Sequence, residues 1–147
     1  MDQNFQHMKL NFERFTNTGG SFAPIISIRK HGAFGVSQGA LNKFGLLDGD
    51  WYVVLFYDKA AQAVGIQPTR NAEEEGAIKL VKRKAIAPKS GKESISSSIS
   101  AKAFFEYYGI DCTETRTYRA TWDEEAKIIV VKLSEGAAAT EEEGESE

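Results

Sequence analysis

The residues best suited to chemistry in this sequence are six basic side chains between positions 79 and 92 (KLVKRKAIAPKSGK), a stretch that contains no acidic residue. Such side chains neutralise phosphate groups, and counterion release then makes binding depend on salt. Six contacts to a duplex would give a log–log salt slope of about −5. The alternative is a solvated connector whose charge discourages the pairing of strand edges. The six residues are Lys79, Lys82, Arg83, Lys84, Lys89 and Lys92.

Other motifs do not predict catalysis, a metal site or a cofactor. Asp48 and Asp50 flank a glycine, which is typical of a turn, and two carboxylates are too few for a hard cation. His7 and His31 have no Cys or His at metal-ligand spacing, and no base is paired with Cys112 in a catalytic pattern. We therefore predict a non-enzymatic protein without a cofactor.

Charge is divided unevenly along the chain. The net charge is −3, but residues 135–147 hold six Glu and no base, so the rest of the chain carries eighteen bases against fifteen acids. A segment so poor in apolar residues cannot offset its ordering entropy by burial, which predicts a disordered acidic tail. The tail either solubilises the protein or mimics phosphate and competes for a basic face.

Length and composition predict a single domain. The chain has 147 residues, which is enough for one core, and its apolar runs stay well below the eighteen or so residues that span a bilayer. The first fifteen residues (MDQNFQHMKLNFERF) lack the apolar stretch of a secretory signal. The single cysteine agrees with a reducing compartment. We predict a cytoplasmic protein with no membrane partner.

The elements that must position the basic residues begin with a strand over 24–36, bent or broken near Gly32 and Gly35. Ser37 stands where a helix N-cap would, ahead of a short helix over 38–44 that Gly45 ends. A turn at 47–50 precedes a hairpin of strands over 51–57 and 63–68, and residues 76–83 alternate like another strand.

The same order of elements returns after residue 94. The sequence predicts a serine-rich strand over 95–99, a cap at Ser100, a helix over 101–108 ended by Gly109, and strands over 117–122 and 127–133. The offset between matching positions is about 63 to 65 residues, as in divergent copies of one unit. The alternative is a coincidence of common turn chemistry.

Each such unit would leave sheet edges and an apolar face unpaired, so two units must close on each other. We predict a mainly β fold with short helices (α+β), in which two pseudo-symmetric strand–helix–hairpin units close one β-barrel. The predicted organisation is an N-terminal extension (1–23), a first unit (24–84), a basic linker (85–94), a second unit (95–134) and the acidic tail (135–147).

Aromatic residues crowd one predicted helix and one predicted strand, where they could stack on bases of a single-stranded nucleic acid. Alternation sends at least half of them inward, so we assign most to the core, with Tyr52 and Tyr108 as the best candidates for exposure.

The first half of the chain contains a short pattern of motifs: Ile28, Arg29, Gly32, Val36, Ser37, Phe44-Gly45-Leu46, Asp48-Gly49-Asp50 and the hairpin through Ile66. This pattern resembles a known family, the swapped-hairpin AbrB/MazE-type (SpoVT-AbrB) fold. The resemblance covers residues 26–67 and, more loosely, 94–133, and related cradle-loop barrels, including duplicated double-psi barrels, match in a similar way. The whole pattern is also similar to small uncharacterised prokaryotic and phage proteins, which implies no activity.

The resemblance implies DNA binding and transcription regulation. DNA-binding members place Arg or Lys just after the glycine of the first strand and after the following proline, where this chain has Ala33 and Ser37-Gln38. On the equivalent surface this leaves Arg29, Lys30 and Lys43 in the first unit and Lys102 in the second.

We therefore predict a protein that contacts the phosphate backbone of DNA or another nucleic acid through these four residues and the basic run. Two alternatives stay open: a protein-interaction module, associated with a phage or mobile element, that presents its hairpins to a protein partner, and a small-ligand site at the barrel loops. The chain would be a monomer with pseudo-twofold symmetry or a homodimer.

Overall fold

The computed structural model describes Leu10, Phe12 and residues 23–138. This part of the chain is mainly β with two short α-helices, which confirms that part of the prediction, and its strands form two antiparallel sheets. The elements are β1 (Ile25–Arg29), β2 (Ala33–Val36), α1 (Gln38–Lys43), β3 (Tyr52–Asp58), β4 (Ala63–Thr69), β5 (Ile78–Lys79), β6 (Val81–Ile86), β7 (Glu93–Ser100), α2 (Lys102–Tyr108), β8 (Arg116–Arg119), β9 (Thr121–Asp123), β10 (Ile128–Lys132), a 3₁₀ turn (Leu133–Glu135) and β11 (Ala137–Ala138).

The strands form two sheets. The six-stranded sheet, sheet A, has the order β11-β8-β1-β2-β7-β6, and the five-stranded sheet, sheet B, has the order β5-β3-β4-β10-β9. The chain passes from sheet B to sheet A at Leu80, between β5 and β6, and from sheet A to sheet B at Ala120, between β8 and β9. No closed barrel is found among the residues described, so the predicted closure is not part of the observed fold.

The described chain runs twice through hairpin, helix and hairpin. Strands at matching places in the two runs pair with each other: β2 with β7, where Val36 lies opposite Ser97, and β4 with β10, where Ile66 lies opposite Ile129. The turns between β3 and β4 and between β9 and β10 also match, because each begins at an Asp whose side chain accepts backbone N–H bonds. Whether the two runs arose by duplication stays a prediction.

The helices begin and end largely where the sequence predicts. The Ser37 side chain accepts a hydrogen bond from the Ala40 N–H at 3.1 Å, which confirms it as the N-cap of α1. Gly109 ends α2 in the left-handed conformation at φ 66°, which confirms the predicted stop. The predicted cap at Ser100 is wrong, because Ser100 is the last residue of β7 and Ala101 precedes α2 without a side-chain cap.

Residues 85–94 are not a linker. Ala85 and Ile86 pair with Ser94 and Glu93, and the residues between them form a turn closed by the Ala87 N–H to Lys92 O bond at 2.9 Å. The basic run therefore lies on β6 and the tip of the β6–β7 hairpin. The predicted N-terminal extension, apart from Leu10, Phe12 and Ala23, and the acidic tail from residue 139 lie outside the described residues.

The core lies between the two sheets and is filled by both. Sheet A contributes the buried side chains of Ile28, Phe34 and Ile99, which lie in neighbouring strands, and sheet B contributes Ile66 and Ile129. Side chains alternate along a strand, so in sheet A the residues next to these buried ones in sequence lie on the opposite face, which is turned away from the core.

Among the residues described, no helix has the length and apolar character needed to cross a membrane.

We expect Ser37→Ala to lower the free energy of unfolding by about 1–2 kcal/mol, because the lost side chain caps a helix. The same hydroxyl accepts from the Ile25 N–H at 3.0 Å and donates to Ala23 O at 3.1 Å, so it also ties α1 to the start of β1. Denaturant unfolding measures the loss. Ser100→Ala, at an exposed position, is the matched control, and equal stability of the two variants would contradict this role.

Candidate functional site

The most distinctive polar feature of the described chain lies on the face of sheet A that is turned away from the core. Here Gly35 of β2 lies opposite Ser98 of β7, which in turn lies opposite Val81 of β6. Two residues further along the same two strands, and on the same face, Ser96 lies opposite Arg83. Three neighbouring strands thus present small side chains in the middle and a basic residue at one side.

A second basic residue enters from the other side of this floor. Arg29, the last residue of β1, lies across Gly35: a Cβ atom built on Gly35 would be 2.7 Å from Arg29 Cζ. Only the absence of a side chain at position 35 lets the guanidinium approach the sheet so closely. The glycine, which the sequence suggested as a bend, therefore makes room for an arginine.

Together these residues line a cavity of about 180 Å³, which we call the arginine groove; they are Arg29, Val81, Arg83, Ser96, Ser97 and Ser98. None of the described residues that line it is acidic. Two guanidinium groups and serine hydroxyls are hydrogen-bond donors, and guanidinium is the side chain best matched to carboxylate and phosphate oxygens. The groove therefore presents the kinds of hydrogen-bond donor that an oxyanion accepts from.

Four of the predicted contact residues lie on the β6–β7 hairpin in addition to Arg83. Lys84, Lys89 and Lys92 are exposed along the outer part of the hairpin. Lys84 lies opposite Ile95, so alternation directs it to the other face of β6 from Arg83. These lysines extend the basic surface beyond the groove without lining it.

Lys82, the fourth, is occupied within the protein. Its ammonium donates to Leu47 O at 2.9 Å and to Gly49 O at 2.8 Å. Arg70 donates to the other two carbonyls of this turn, Asp48 O at 3.2 Å and Asp50 O at 3.3 Å. Two basic side chains therefore hold the turn at 47–50, which explains the Asp-Gly-Asp sequence as turn chemistry and gives Lys82 a role within the protein itself.

The remaining candidates are dispersed. Lys30 is exposed at the β1–β2 turn, and Lys102 packs its stem against Gly32 in the same turn. Lys79 is exposed on β5, at the edge of sheet B. The structure thus brings Arg29 and Arg83 together and leaves the others around or away from the groove.

Lys43 belongs to a different cavity, of about 410 Å³, which it lines with Phe44, Gly45 and Trp122. The rings of Phe44 and Trp122 are stacked, with centroids 6.0 Å apart and an interplanar angle of 28°. This stack joins the end of α1 to β9, and sequence analysis did not suggest it.

A third cavity, of about 260 Å³, mixes both charges, since Asp111 and Arg116 line it beside Tyr57 and Tyr118. Hydrogen bonds from the Thr113 N–H and hydroxyl lower the pKa of Asp111, and burial raises the pKa of Tyr118. The Asp111 carboxylate already accepts two hydrogen bonds from Thr113, so it stabilises the loop that contains both residues. Within the described chain, no cluster of three His, Cys, Asp or Glu side chains could hold a metal ion.

The floor of the groove was missed from the sequence. Ser96 and Ser98 were assigned to a serine-rich strand without a role, although their alternation with Ile95, Ser97 and Ile99 puts two hydroxyls on one face. Their position beside Gly35 and Arg83 depends on strand pairing that no local pattern reveals.

Comparison with protein-family models, with curated proteins and with solved structures gave no significant match. The resemblance to the AbrB/MazE-type fold therefore stays a prediction.

We expect Lys82→Met to lower the free energy of unfolding by about 1–2 kcal/mol, because two carbonyls lose a charged donor. Urea unfolding measures the change, and Lys84→Met, an exposed neighbour with the same loss of charge, should leave stability nearly unaltered. A variant at position 82 as stable as the control would show that the ammonium is not needed to hold the 47–50 turn.

Proposed function

We propose that this protein is a non-enzymatic nucleic-acid-binding protein that contacts the phosphate backbone through the arginine groove and the basic β6–β7 hairpin. The observation that carries the proposal is the convergence of Arg29 and Arg83 over a floor of glycine and serine on one face of sheet A. Neither arginine's sequence neighbourhood predicts this meeting, because the two residues lie on strands that are not adjacent.

The chemistry of the groove favours phosphate over other surfaces of a nucleic acid. Guanidinium groups bind phosphate oxygens through two parallel N–H bonds, and serine hydroxyls add neutral donors. Contacts of this kind position a strand without reading its sequence. We therefore expect binding with little dependence on base sequence and with a strong dependence on salt.

The hairpin supplies additional positive charge along the same structural unit. Lys84, Lys89 and Lys92 are exposed, and within the described residues their ammonium groups make no hydrogen bond or ion pair. An exposed basic hairpin beside a groove can follow a flexible strand for several phosphates. The exposed edge of β6 also carries lysines, which discourages pairing with a second sheet edge.

The fold part of the proposal is a duplicated, AbrB-like barrel. It is supported by the antiparallel pairing of matching strands, β2 with β7 and β4 with β10, and by the matching aspartate turns at Asp58 and Asp123. The chain also passes between the two sheets at Leu80 and at Ala120, as it would have to do in a closed barrel. Regulation of transcription is the activity that this resemblance implies.

A protein-interaction module is the second candidate, and one observation favours it. Tyr107 on α2 is 81% exposed, and its ring lies 4.8 Å from that of Tyr108, which in turn lies 4.8 Å from Tyr57. Exposed aromatic side chains of this kind are common at the centre of protein interfaces. This patch lies on different elements from the arginine groove, so the two candidates predict different sensitive residues.

The proposed function is tested by fluorescence anisotropy with labelled single-stranded and duplex oligonucleotides at low salt. We expect the triple change Lys84→Gln, Lys89→Gln and Lys92→Gln to reduce the log–log salt slope by about 2 to 3, since each lost phosphate contact removes about 0.7 to 0.9. The matched control removes three lysines from the turns and strand of sheet B: Lys59→Gln, Lys127→Gln and Lys132→Gln.

The control variant should bind with a slope close to that of the unchanged protein. If the salt slope fell equally in both triple variants, binding would depend only on net charge. If the unchanged protein bound neither oligonucleotide at low salt, the proposal would be removed.

Removal of residues 139–147 should tighten oligonucleotide binding. Ala138 of β11 lies opposite Arg116, and Arg116 lies opposite Ile28 on the strand that ends in Arg29, so the last residue described is two strands from β1. Five Glu follow residue 140 in the sequence. Like charges then repel the phosphates, and the effect should fade at high salt. Changing the five Glu to Gln is the control for chain length. Unchanged oligonucleotide affinity in both variants would show that the acidic segment does not compete with phosphates.

A further inference from the structure

We infer that the arginine groove is a seat for one phosphate group, held by Arg29, Arg83 and the hydroxyls of Ser96 and Ser98. The inference deepens the proposed function and rests on it for the source of the phosphate. It differs from a general basic surface in one respect: a seat recognises the shape and oxygens of a single group, whereas a surface responds only to charge.

The first argument is the arrangement of the two arginines. They are carried by β1 and β6, with β2 and β7 between them. Arg29 is also in line with Ser100 of β7 whereas Arg83 lies opposite Ser96, so their Cα atoms are about 20 Å apart at the usual strand spacing and rise. Both side chains nevertheless line the same cavity, because Arg29 lies across Gly35 toward β7. The two arginines therefore border this cavity from opposite sides.

The second argument is the floor between the arginines. At Gly35, Ser96 and Ser98 the sheet carries no side chain larger than a hydroxymethyl group. A cavity of about 180 Å³ is several times the roughly 30 Å³ that a water molecule occupies in the liquid, so it has room for a tetrahedral anion. Serine hydroxyls at its base are placed to donate to the oxygens that the arginines do not reach.

The third argument selects phosphate over a carboxylate. A carboxylate offers two oxygens and is satisfied by one guanidinium fork. Two guanidinium groups on opposite sides, with hydroxyls below, suit a group that has at least two non-bridging oxygens pointing in different directions and that carries one or two negative charges. Phosphate monoesters and diesters both meet this description.

These two sources differ in charge and position. A diester phosphate inside a strand carries one negative charge, and a terminal 5′-phosphate carries close to two. The groove opens at the face of the sheet, so both sources can reach it. The experiment therefore begins with inorganic phosphate, which tests the seat alone, and then compares oligonucleotides with and without a 5′-phosphate.

The structure offers a matched pair of variants. Arg83→Gln and Lys132→Gln remove the same charge from exposed strand residues, but Arg83 lines the groove on sheet A whereas Lys132 lies on β10 of sheet B. A third variant, Gly35→Ala, changes no charge. Its new Cβ atom would occupy the space of the Arg29 guanidinium and would displace that group from the groove.

The measurement is the binding of inorganic phosphate to the full chain, by calorimetry and by thermal shift, with chloride as the salt of equal ionic strength. We expect phosphate to stabilise the unchanged protein and the Lys132→Gln variant to a similar extent. Arg83→Gln and Gly35→Ala should bind phosphate at least about tenfold more weakly, since each loses a charged hydrogen-bond partner. Their unfolding temperatures without phosphate show whether the fold is intact.

The seat is overturned if phosphate does not stabilise the unchanged protein, or if Arg83→Gln and Lys132→Gln weaken phosphate binding equally. Oligonucleotide binding that survives either result would leave the proposed function standing on the hairpin alone. Phosphate binding without any oligonucleotide binding would support the seat and remove the nucleic-acid function.

Comparison of two oligonucleotides, and their displacement by inorganic phosphate, identifies the source of the phosphate group. If a 5′-phosphorylated oligonucleotide binds more tightly than its 5′-hydroxyl form, and Arg83→Gln removes the difference, the seat takes a terminal phosphate. If the two oligonucleotides bind alike and inorganic phosphate displaces both, the seat takes an internal diester. Both results support the seat, whereas oligonucleotide binding that phosphate at equal ionic strength does not displace speaks against it.

Discussion

The pairing of β2 with β7 is the constraint on which the rest of the structure depends. It joins two segments about sixty residues apart in the chain, and Ser97 strengthens it by donating its hydroxyl to Val36 O at 2.9 Å. β1 extends the sheet on one side of this pair and β6 on the other. Arg29 and Arg83 therefore line the same cavity because β2 and β7 are in register, and closing so long a loop is the entropic cost of the site.

The same pairing also serves the core. Phe34 and Ile99 lie opposite each other and are buried on one face, and Gly35 and Ser98, the next pair along, lie on the other face. Since alternation has a period of two, a slip of one residue would exchange these faces and bury the serines. The packing that stabilises sheet A thus fixes the register that assembles the groove.

Chemically similar residues in the basic run have different roles because register and backbone position separate them. Lys82 points inward and holds the carbonyls of the 47–50 turn, Arg83 points outward into the groove, and Lys84 points inward again but beyond the core, where it is exposed. Counting bases in a sequence therefore overestimates the number available to a ligand. In the turn at 47–50, two basic side chains bind backbone carbonyls and so stabilise the protein itself.

Local chemistry alone determined much of the fold: the Ser37 cap, the Gly109 stop, the aspartate turns and the alternating strands are all legible in the sequence, because each depends on neighbours within a few residues. Tertiary structure decided the rest. It made a hairpin tip of residues 85–94, ordered two sheets where a closed barrel was predicted, and put Ser96, Ser98 and Gly35 beneath two arginines. These outcomes depend on which strands become neighbours and in what register, and the free energy that selects them comes from burial of residues distant in the chain.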